Sequence, residues 1–108
     1  MSKLDNLKRV QETGIVAVVR AETAEQALKI TEAVKNGGIE AIEITMTVPG
    51  AVDVIKKVTE EYSSDEILVG AGSVLDAETA RACILAGAEY IVSPSFDKET
   101  VELCNRYQ

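Results

Sequence analysis

Gly37-Gly38-Ile39-Glu40-Ala41-Ile42-Glu43-Ile44-Thr45-Met46-Thr47-Val48-Pro49-Gly50 is the stretch that decides the fold. Two glycines end a helical pattern, a short apolar run follows, and a proline-glycine pair closes the run. An apolar run of this length between turn residues is typical of a buried strand. We therefore predict a strand over residues 41–47.

Glu43 does not fit a buried strand, because a buried carboxylate is unfavourable unless it is paired or hydrogen-bonded. One interpretation is an ion pair with a basic group on a neighbouring strand. The other is a general acid/base in a pocket at the carboxyl end of the strand, since perturbed carboxylates often mark functional sites. The residues alone leave both interpretations open.

The rest of the chain repeats a unit in which a strand is followed by a helix. Apolar runs predict four strands, over residues 15–20, 41–47, 67–73 and 90–94. A short amphipathic helix with Leu4 and Leu7 precedes the first strand. Each strand is followed by a helix, and helix starts are indicated by Thr23, Pro49, Asp76 and Asp97.

Continuous apolar strands that alternate with helices predict an α/β fold with a parallel sheet covered by helices. Short units of equal length favour a (β/α)₈ TIM barrel over a doubly wound sheet. A full barrel needs about 200 residues or more, whereas this chain has 108. We therefore predict that residues 1–108 form a single (βα)₄ unit, the N-terminal half of a TIM barrel preceded by a short helix.

The negative net charge disfavours two classes of partner. The net charge is −7 and the pI is near 4.6, which disfavours nucleic acid and anionic membrane surfaces. No apolar run is long enough to span a bilayer. The first ten residues are polar and charged and contain no apolar signal-peptide core, so we predict a cytoplasmic protein.

No metal site or cofactor is predicted. The chain contains no histidine, and two cysteines without a secretion signal, Cys83 and Cys104, are typical of reduced structural thiols. The stretch Gly70-Ala71-Gly72-Ser73 lacks the third glycine of a dinucleotide fingerprint and is better interpreted as a close backbone approach beside a site.

Polar residues stand at the carboxyl ends of the predicted strands, which is where a barrel carries its site. Arg20 either pairs with Glu43 or binds a substrate carboxylate through its fork of donors. The hydroxyl groups either satisfy loop backbone or bind an oxygen-rich substrate. Taken in chain order, the polar residues and the proline at these ends are Arg20, Glu43, Thr45, Thr47, Ser73, Ser93, Pro94 and Ser95.

Four motifs stand one after another along the chain: Ile15-Val16-Ala17-Val18-Val19-Arg20-Ala21, Gly37-Gly38 with Ile42-Glu43-Ile44-Thr45, Val69-Gly70-Ala71-Gly72-Ser73-Val74, and Gly87-Ala88 with Ile91-Val92-Ser93-Pro94. In this order and spacing they resemble the 2-keto-3-deoxy-6-phosphogluconate (KDPG) / 4-hydroxy-2-oxoglutarate (KHG) aldolases, and the resemblance covers the whole chain. It implies a class I aldolase on a (β/α)₈ barrel, usually a homotrimer, that cleaves a 2-keto-4-hydroxy acid to pyruvate and an aldehyde through a Schiff base.

The resemblance also implies roles for single residues. Glu43 matches the general acid/base of the family. Arg20, with Thr47 and Ser73 nearby, would hold the pyruvate carboxylate, and Pro94 would line the pocket. The chain departs from the family pattern at two of these positions, since some relatives carry arginine in place of Thr47 and threonine is commoner than serine at Ser73.

The family's Schiff-base lysine lies on the sixth strand and its phosphate site follows strands seven and eight, and this chain has neither. Its seven lysines fall in helical or capping segments, so we predict that the chain alone is inactive. A non-catalytic half-barrel that self-associates, as a symmetric dimer for example, is the alternative. Another phosphosugar barrel, such as an epimerase, is disfavoured by the Glu-Ile-Thr and Gly-Ala-Gly-Ser motifs.

Overall fold

A computed structural model describes residues 2–107 as a leading helix followed by four strand-helix units. This is the predicted order. No helix in the described residues combines the length and the apolar character needed to cross a membrane. The elements are α1 (Lys3–Thr13), β1 (Ala17–Val19), α2 (Ala24–Asn36), β2 (Ala41–Thr45), α3 (Ala51–Glu61), β3 (Leu68–Gly72), α4 (Ala77–Ala86), β4 (Tyr90–Ile91) and α5 (Lys98–Tyr107).

The four strands form one parallel sheet in the order β1-β2-β3-β4. Crossovers between parallel strands are right-handed, so an order without a reversal places the connecting helices on one face. A doubly wound sheet would instead reverse its strand order and carry helices on both faces. The fold is therefore TIM-barrel-like and corresponds to half of a barrel, as predicted.

The hydrophobic core lies between the helices and one face of the sheet, which we call the outer face. Val19, Ile44 and Ala71 lie side by side on this face, and all three are 0% exposed. Side chains from the helices cover them, among them Ala27, Val54, Ile55, Val58, Ala80 and Cys83. Because every second residue of a strand points to the same face, the residues between them point to the opposite, inner face.

Helix caps follow the predicted signals. The Thr23 hydroxyl accepts from the Gln26 N–H at 3.1 Å and begins α2, and the Asp76 carboxylate accepts from the Thr79 N–H at 2.7 Å and begins α4. The hydrogen bond to Thr79 holds the pKa of Asp76 below its ordinary value. These caps satisfy backbone donors that the first helical turn leaves unpaired.

Both cysteines are free thiols within helices. Burial raises the pKa of Cys83 to about 11, and the charge of Asp76 adds to this shift. Burial also raises the pKa of Cys104.

The strands are shorter than predicted, and the placement of Pro49 in a helical turn was wrong. Two successive turns follow β2, in which the Val48 N–H donates to the Thr45 carbonyl at 3.0 Å and the Ala51 N–H donates to the Val48 carbonyl at 3.1 Å. These turns end β2 at Thr45, and the Met46 N–H makes the last hydrogen bond to β3, to the Gly72 carbonyl at 2.9 Å. Gly50, with a φ of 69°, caps α3, so Pro49 lies in the turn before it.

Helix α1 does not pack through its apolar stripe. Leu4 and Leu7 are 77% and 55% exposed, whereas Asn6 is buried. The Asn6 amide donates to the Glu89 carbonyl at 3.2 Å, and Arg9 donates to the carbonyl groups of Ser64 and Asp65. The helix is thus fixed by polar contacts to the loops that lead into β3 and β4.

Candidate functional site

The inner face of the sheet carries the candidate site. Val18, Glu43, Gly70 and Tyr90 are register partners in one row across the four strands, which we call the inner row. Val18 is 52% exposed and Glu43 is half-buried. The carboxylate therefore lies on an open face and not inside a sealed core, which lowers the desolvation cost expected from the sequence.

The Glu43 carboxylate lies across strand β3, directly over Gly72. A Cβ atom placed on Gly72 would lie only 1.7 Å from Oε1 of Glu43 and 2.5 Å from its Cδ. No side chain other than hydrogen leaves room for this arrangement. The close approach predicted for the glycine pair in β3 is confirmed.

Tyr90 is a residue of this face that the sequence reasoning missed. A Cβ atom on Gly70 would lie 2.2 Å from Cε2 of the Tyr90 ring, so the ring lies flat over that glycine. The phenol donates a hydrogen bond to the Ile42 carbonyl. Burial raises the pKa of Tyr90, and the negative charge of Glu43 raises it further.

Backbone hydrogen bonds join the carboxyl ends of three neighbouring strands. The Met46 N–H, just after β2, donates to the Gly72 carbonyl at the end of β3 at 2.9 Å. The Val74 N–H, just after β3, donates to the Val92 carbonyl after β4 at 3.2 Å. The loops that carry the predicted polar residues thus begin next to one another.

Thr45 and Thr47 are brought together although only Thr45 belongs to the strand. Their hydroxyl oxygens are 2.7 Å apart. The Thr45 hydroxyl is buried and also lies 3.4 Å from the Val19 carbonyl, immediately before Arg20. Thr47 is exposed, so the pair connects a buried backbone acceptor to a hydroxyl at the surface.

Ser73 has an unusual backbone conformation. Its φ is +57°, and among residues 2–107 no other residue except glycine has a positive φ. Such a conformation is uncommon for residues with a side chain, and it concentrates at functional sites. It places Ser73 directly after the glycine on which the Glu43 carboxylate lies.

Arg20 and Pro94 are exposed at the carboxyl ends of β1 and β4. The ion pairs within residues 2–107 involve neither Arg20 nor Glu43. The structural pairing of these two residues is therefore not observed in the described part of the chain.

The site is an open face and not a closed cavity. Two clefts, of about 460 Å³ between α2 and α3 and about 330 Å³ beneath β4, contain none of the predicted site residues. Within the described residues, no three His, Cys, Asp or Glu side chains are grouped so that they would hold a metal ion.

Comparison with known proteins gives a consistent result. The sequence profile of the family described as KDPG and KHG aldolase matches residues 7–108. A 2-dehydro-3-deoxy-phosphogluconate aldolase of Treponema pallidum is 35% identical over 98 residues, which cover 91% of this chain and 44% of that protein. The chain thus spans less than half the length of this curated relative.

Solved structures agree with the sequence matches. The 2-keto-3-deoxy-6-phosphogluconate aldolase of Zymomonas mobilis, solved with 3-phosphoglycerate, superposes with a TM-score of 0.83 at 27% identity, over 98% of this chain and 49% of that one. The KDPG aldolase of Legionella pneumophila, with pyruvate captured as a covalent carbinolamine, superposes with a TM-score of 0.73 at 27% identity, over 82% and 42%.

Proposed function

This chain belongs to the KDPG and KHG aldolase family, and on that premise we propose that it supplies the Glu43 side of a class I aldolase site. The whole protein would cleave a 2-keto-4-hydroxy acid, such as 2-keto-3-deoxy-6-phosphogluconate, to pyruvate and an aldehyde. The observation that carries this proposal is the Glu43 carboxylate, which lies on the inner face beside the strand ends and makes no ion pair within residues 2–107.

Glu43 acts as the general acid/base in this proposal. While the substrate is held as an imine, the carboxylate takes the proton from the 4-hydroxyl group as the bond between carbons 3 and 4 breaks, and the bonding electrons pass to the iminium nitrogen. Glu43 then returns a proton to carbon 3, which becomes the methyl group of pyruvate. A carboxylate without an internal cation is free to make both transfers.

Arg20, Thr47 and Ser73 hold the substrate carboxylate, and Pro94 lines the pocket. Arg20 is the only cation among them, and its exposed guanidinium matches a carboxylate through two parallel hydrogen bonds. Thr47 donates one hydrogen bond to the substrate if Thr45 turns its single O–H away from the Val19 carbonyl, 3.4 Å distant, and donates it to the Thr47 oxygen at 2.7 Å.

The lysine that forms the imine lies, in this proposal, in the part of the protein beyond this chain. All seven lysines of the chain belong to helices and none to a strand. An imine-forming lysine must be partly neutral near pH 7, and desolvation in a pocket is a common cause. The seven are Lys3, Lys8, Lys29, Lys35, Lys56, Lys57 and Lys98.

Imine trapping tests this division of the site. The 108-residue chain and the protein expressed from the complete reading frame would each be incubated with pyruvate and borohydride, and the mass of the intact protein would then be measured by mass spectrometry. We expect no adduct on the chain alone. We expect one pyruvate-derived adduct on the complete protein, at a lysine outside residues 1–108.

Two results would contradict the proposal in different ways. An adduct mapped to one of the seven lysines would show that this half supplies its own amine. A complete protein that forms no adduct would show that the protein is not a Schiff-base aldolase.

A self-associating half-barrel is the second candidate function. Strands β1 and β4 are the two edges of the sheet, and Val18 and Val92 are 52% and 40% exposed. Open strand edges and exposed apolar side chains favour association, and two facing copies would approximate a closed barrel. A reading frame that stops after Gln108 would favour this function, whereas one that continues into a strand with a lysine would favour the aldolase, for which we propose a homotrimer.

A further inference from the structure

A different side chain packs over each of the two glycines of strand β3. Gly72 lies under the Glu43 carboxylate and Gly70 lies under the Tyr90 ring. Both glycines are buried, both point to the inner face, and neither has a φ in the left-handed region. Alanine would therefore fit the backbone at either position, and the space above each glycine is the reason for its presence.

The strand register shows that the Glu43 carboxylate does not lie over the glycine directly opposite it. Glu43 is directly opposite Gly70, whereas Gly72 is two residues further along β3 and opposite Thr45. The Glu43 side chain thus lies diagonally, toward the carboxyl end of the sheet. Its straight path across the sheet is taken by the Tyr90 ring, which the hydrogen bond to the Ile42 carbonyl holds in place.

We propose that Gly72 is a positioning residue for Glu43: its missing side chain, together with the ring of Tyr90 over Gly70, aims the carboxylate at the strand ends. The catalytic role of this positioning rests on the proposed function, whereas the arrangement of Glu43, Tyr90 and the two glycines is independent of it. Gly72 leads directly into Ser73, so the glycine under the carboxylate is adjacent in sequence to one of the proposed substrate-binding residues.

The two glycines differ in what a methyl group would displace. At Gly72 it would meet Oε1, the mobile end of the Glu43 side chain. At Gly70 it would meet an aromatic ring that is hydrogen-bonded to the backbone. Gly72→Ala should therefore move the carboxylate and leave the fold intact, whereas Gly70→Ala should mainly lower stability.

The first measurement needs no activity. In the labelled 108-residue chain, we expect nuclear Overhauser contacts between the Glu43 γ-protons and the Gly72 α-protons, and between the Tyr90 ring and the Gly70 α-protons. Gly70→Ala should keep the first contact and disturb the second. The absence of the Glu43–Gly72 contact from the folded wild-type chain would overturn the proposal.

The second measurement uses the complete protein. Gly72→Ala should lower kcat by about 10²-fold, since a misplacement of about 1 Å has effects of that size, and should change the KM for the keto acid less. Gly70→Ala should lower kcat less and the urea unfolding midpoint more. Equal kcat values for Gly72→Ala and wild type would overturn the proposal.

One further variant covers the case in which Gly72→Ala lowers stability as well. If the clash with the carboxylate is the cause, then Glu43→Ala should restore the unfolding midpoint of Gly72→Ala but not that of Gly70→Ala. Restoration of neither would overturn the proposal. A complete protein without aldolase activity would refute the proposed function, while the nuclear Overhauser contacts would still decide the arrangement.

Discussion

The two faces of one sheet differ sharply although they are made from alternate residues of the same strands. The outer row, Val19, Ile44, Ala71 and Ile91, is apolar and packed under the helices. The inner row holds a half-exposed valine, a carboxylate, a glycine and a tyrosine. A single step along each strand separates the residues that stabilise the fold from those that are free to serve a site.

The largest expected difference in stability comes from making the same valine-to-alanine substitution on each of the two faces. Val19→Ala should lower the free energy of unfolding by about 2 kcal/mol, because it removes two buried methyl groups and leaves a cavity. Val18→Ala should lower it by about 0.5 kcal/mol or less, since Val18 is 52% exposed. Urea unfolding monitored by circular dichroism measures both.

These valines are adjacent in β1, so the strand propensity lost on mutation to alanine is similar and largely cancels in the comparison. Equal losses of stability at the two positions would show that the inner face is as well packed as the outer face. The distinction between the two faces would then fail.

A smaller effect concerns the helices that cover the outer face. Hydrogen bonding to Thr79 lowers the pKa of Asp76 below its ordinary 3.8. A carboxylate with a depressed folded-state pKa contributes stability that is full above its unfolded pKa and is lost as pH falls through the folded value. Stability should therefore decline below about pH 4, and Asp76→Asn should flatten that decline.

The measurement is the urea midpoint of the wild type and of Asp76→Asn between pH 2 and pH 7. Asparagine is also a good N-cap residue, so the urea midpoints of the two proteins should converge at low pH and separate as pH rises. Parallel curves would show that the Asp76 cap does not contribute to the acid sensitivity of the outer layer.

Much of the fold followed from local pattern. The apolar run around Glu43 predicted a strand, and the regular alternation of strands and helices predicted half of a barrel. Both predictions are confirmed, because alternation and helix caps are encoded within a few residues. The strand ends were predicted less well. The second strand was predicted to reach residue 47 but ends at Thr45, since the turn that follows depends on hydrogen bonds that close the loop.

The inner face was predicted less completely, for a physical reason. Tyr90 reaches the carbonyl of Ile42, next to Glu43, only because β2, β3 and β4 stand in one particular register, and no local pattern specifies a contact across two strands. The positive φ of Ser73 likewise had no signal in the sequence. Strand alternation puts Glu43 and Tyr90 on the same face of the sheet only once the register of the strands is known.

The most direct test of the account is the turnover of Glu43→Gln in the complete protein, compared with Glu40→Gln. Glu40 precedes the same strand and its side chain is 61% exposed, so it is a matched control. We expect Glu43→Gln to lower kcat by about 10²-fold or more, as loss of an acid/base does, with nearly unchanged unfolding, and Glu40→Gln to leave kcat unchanged. A Glu43→Gln protein that turns over at the wild-type rate would contradict the account.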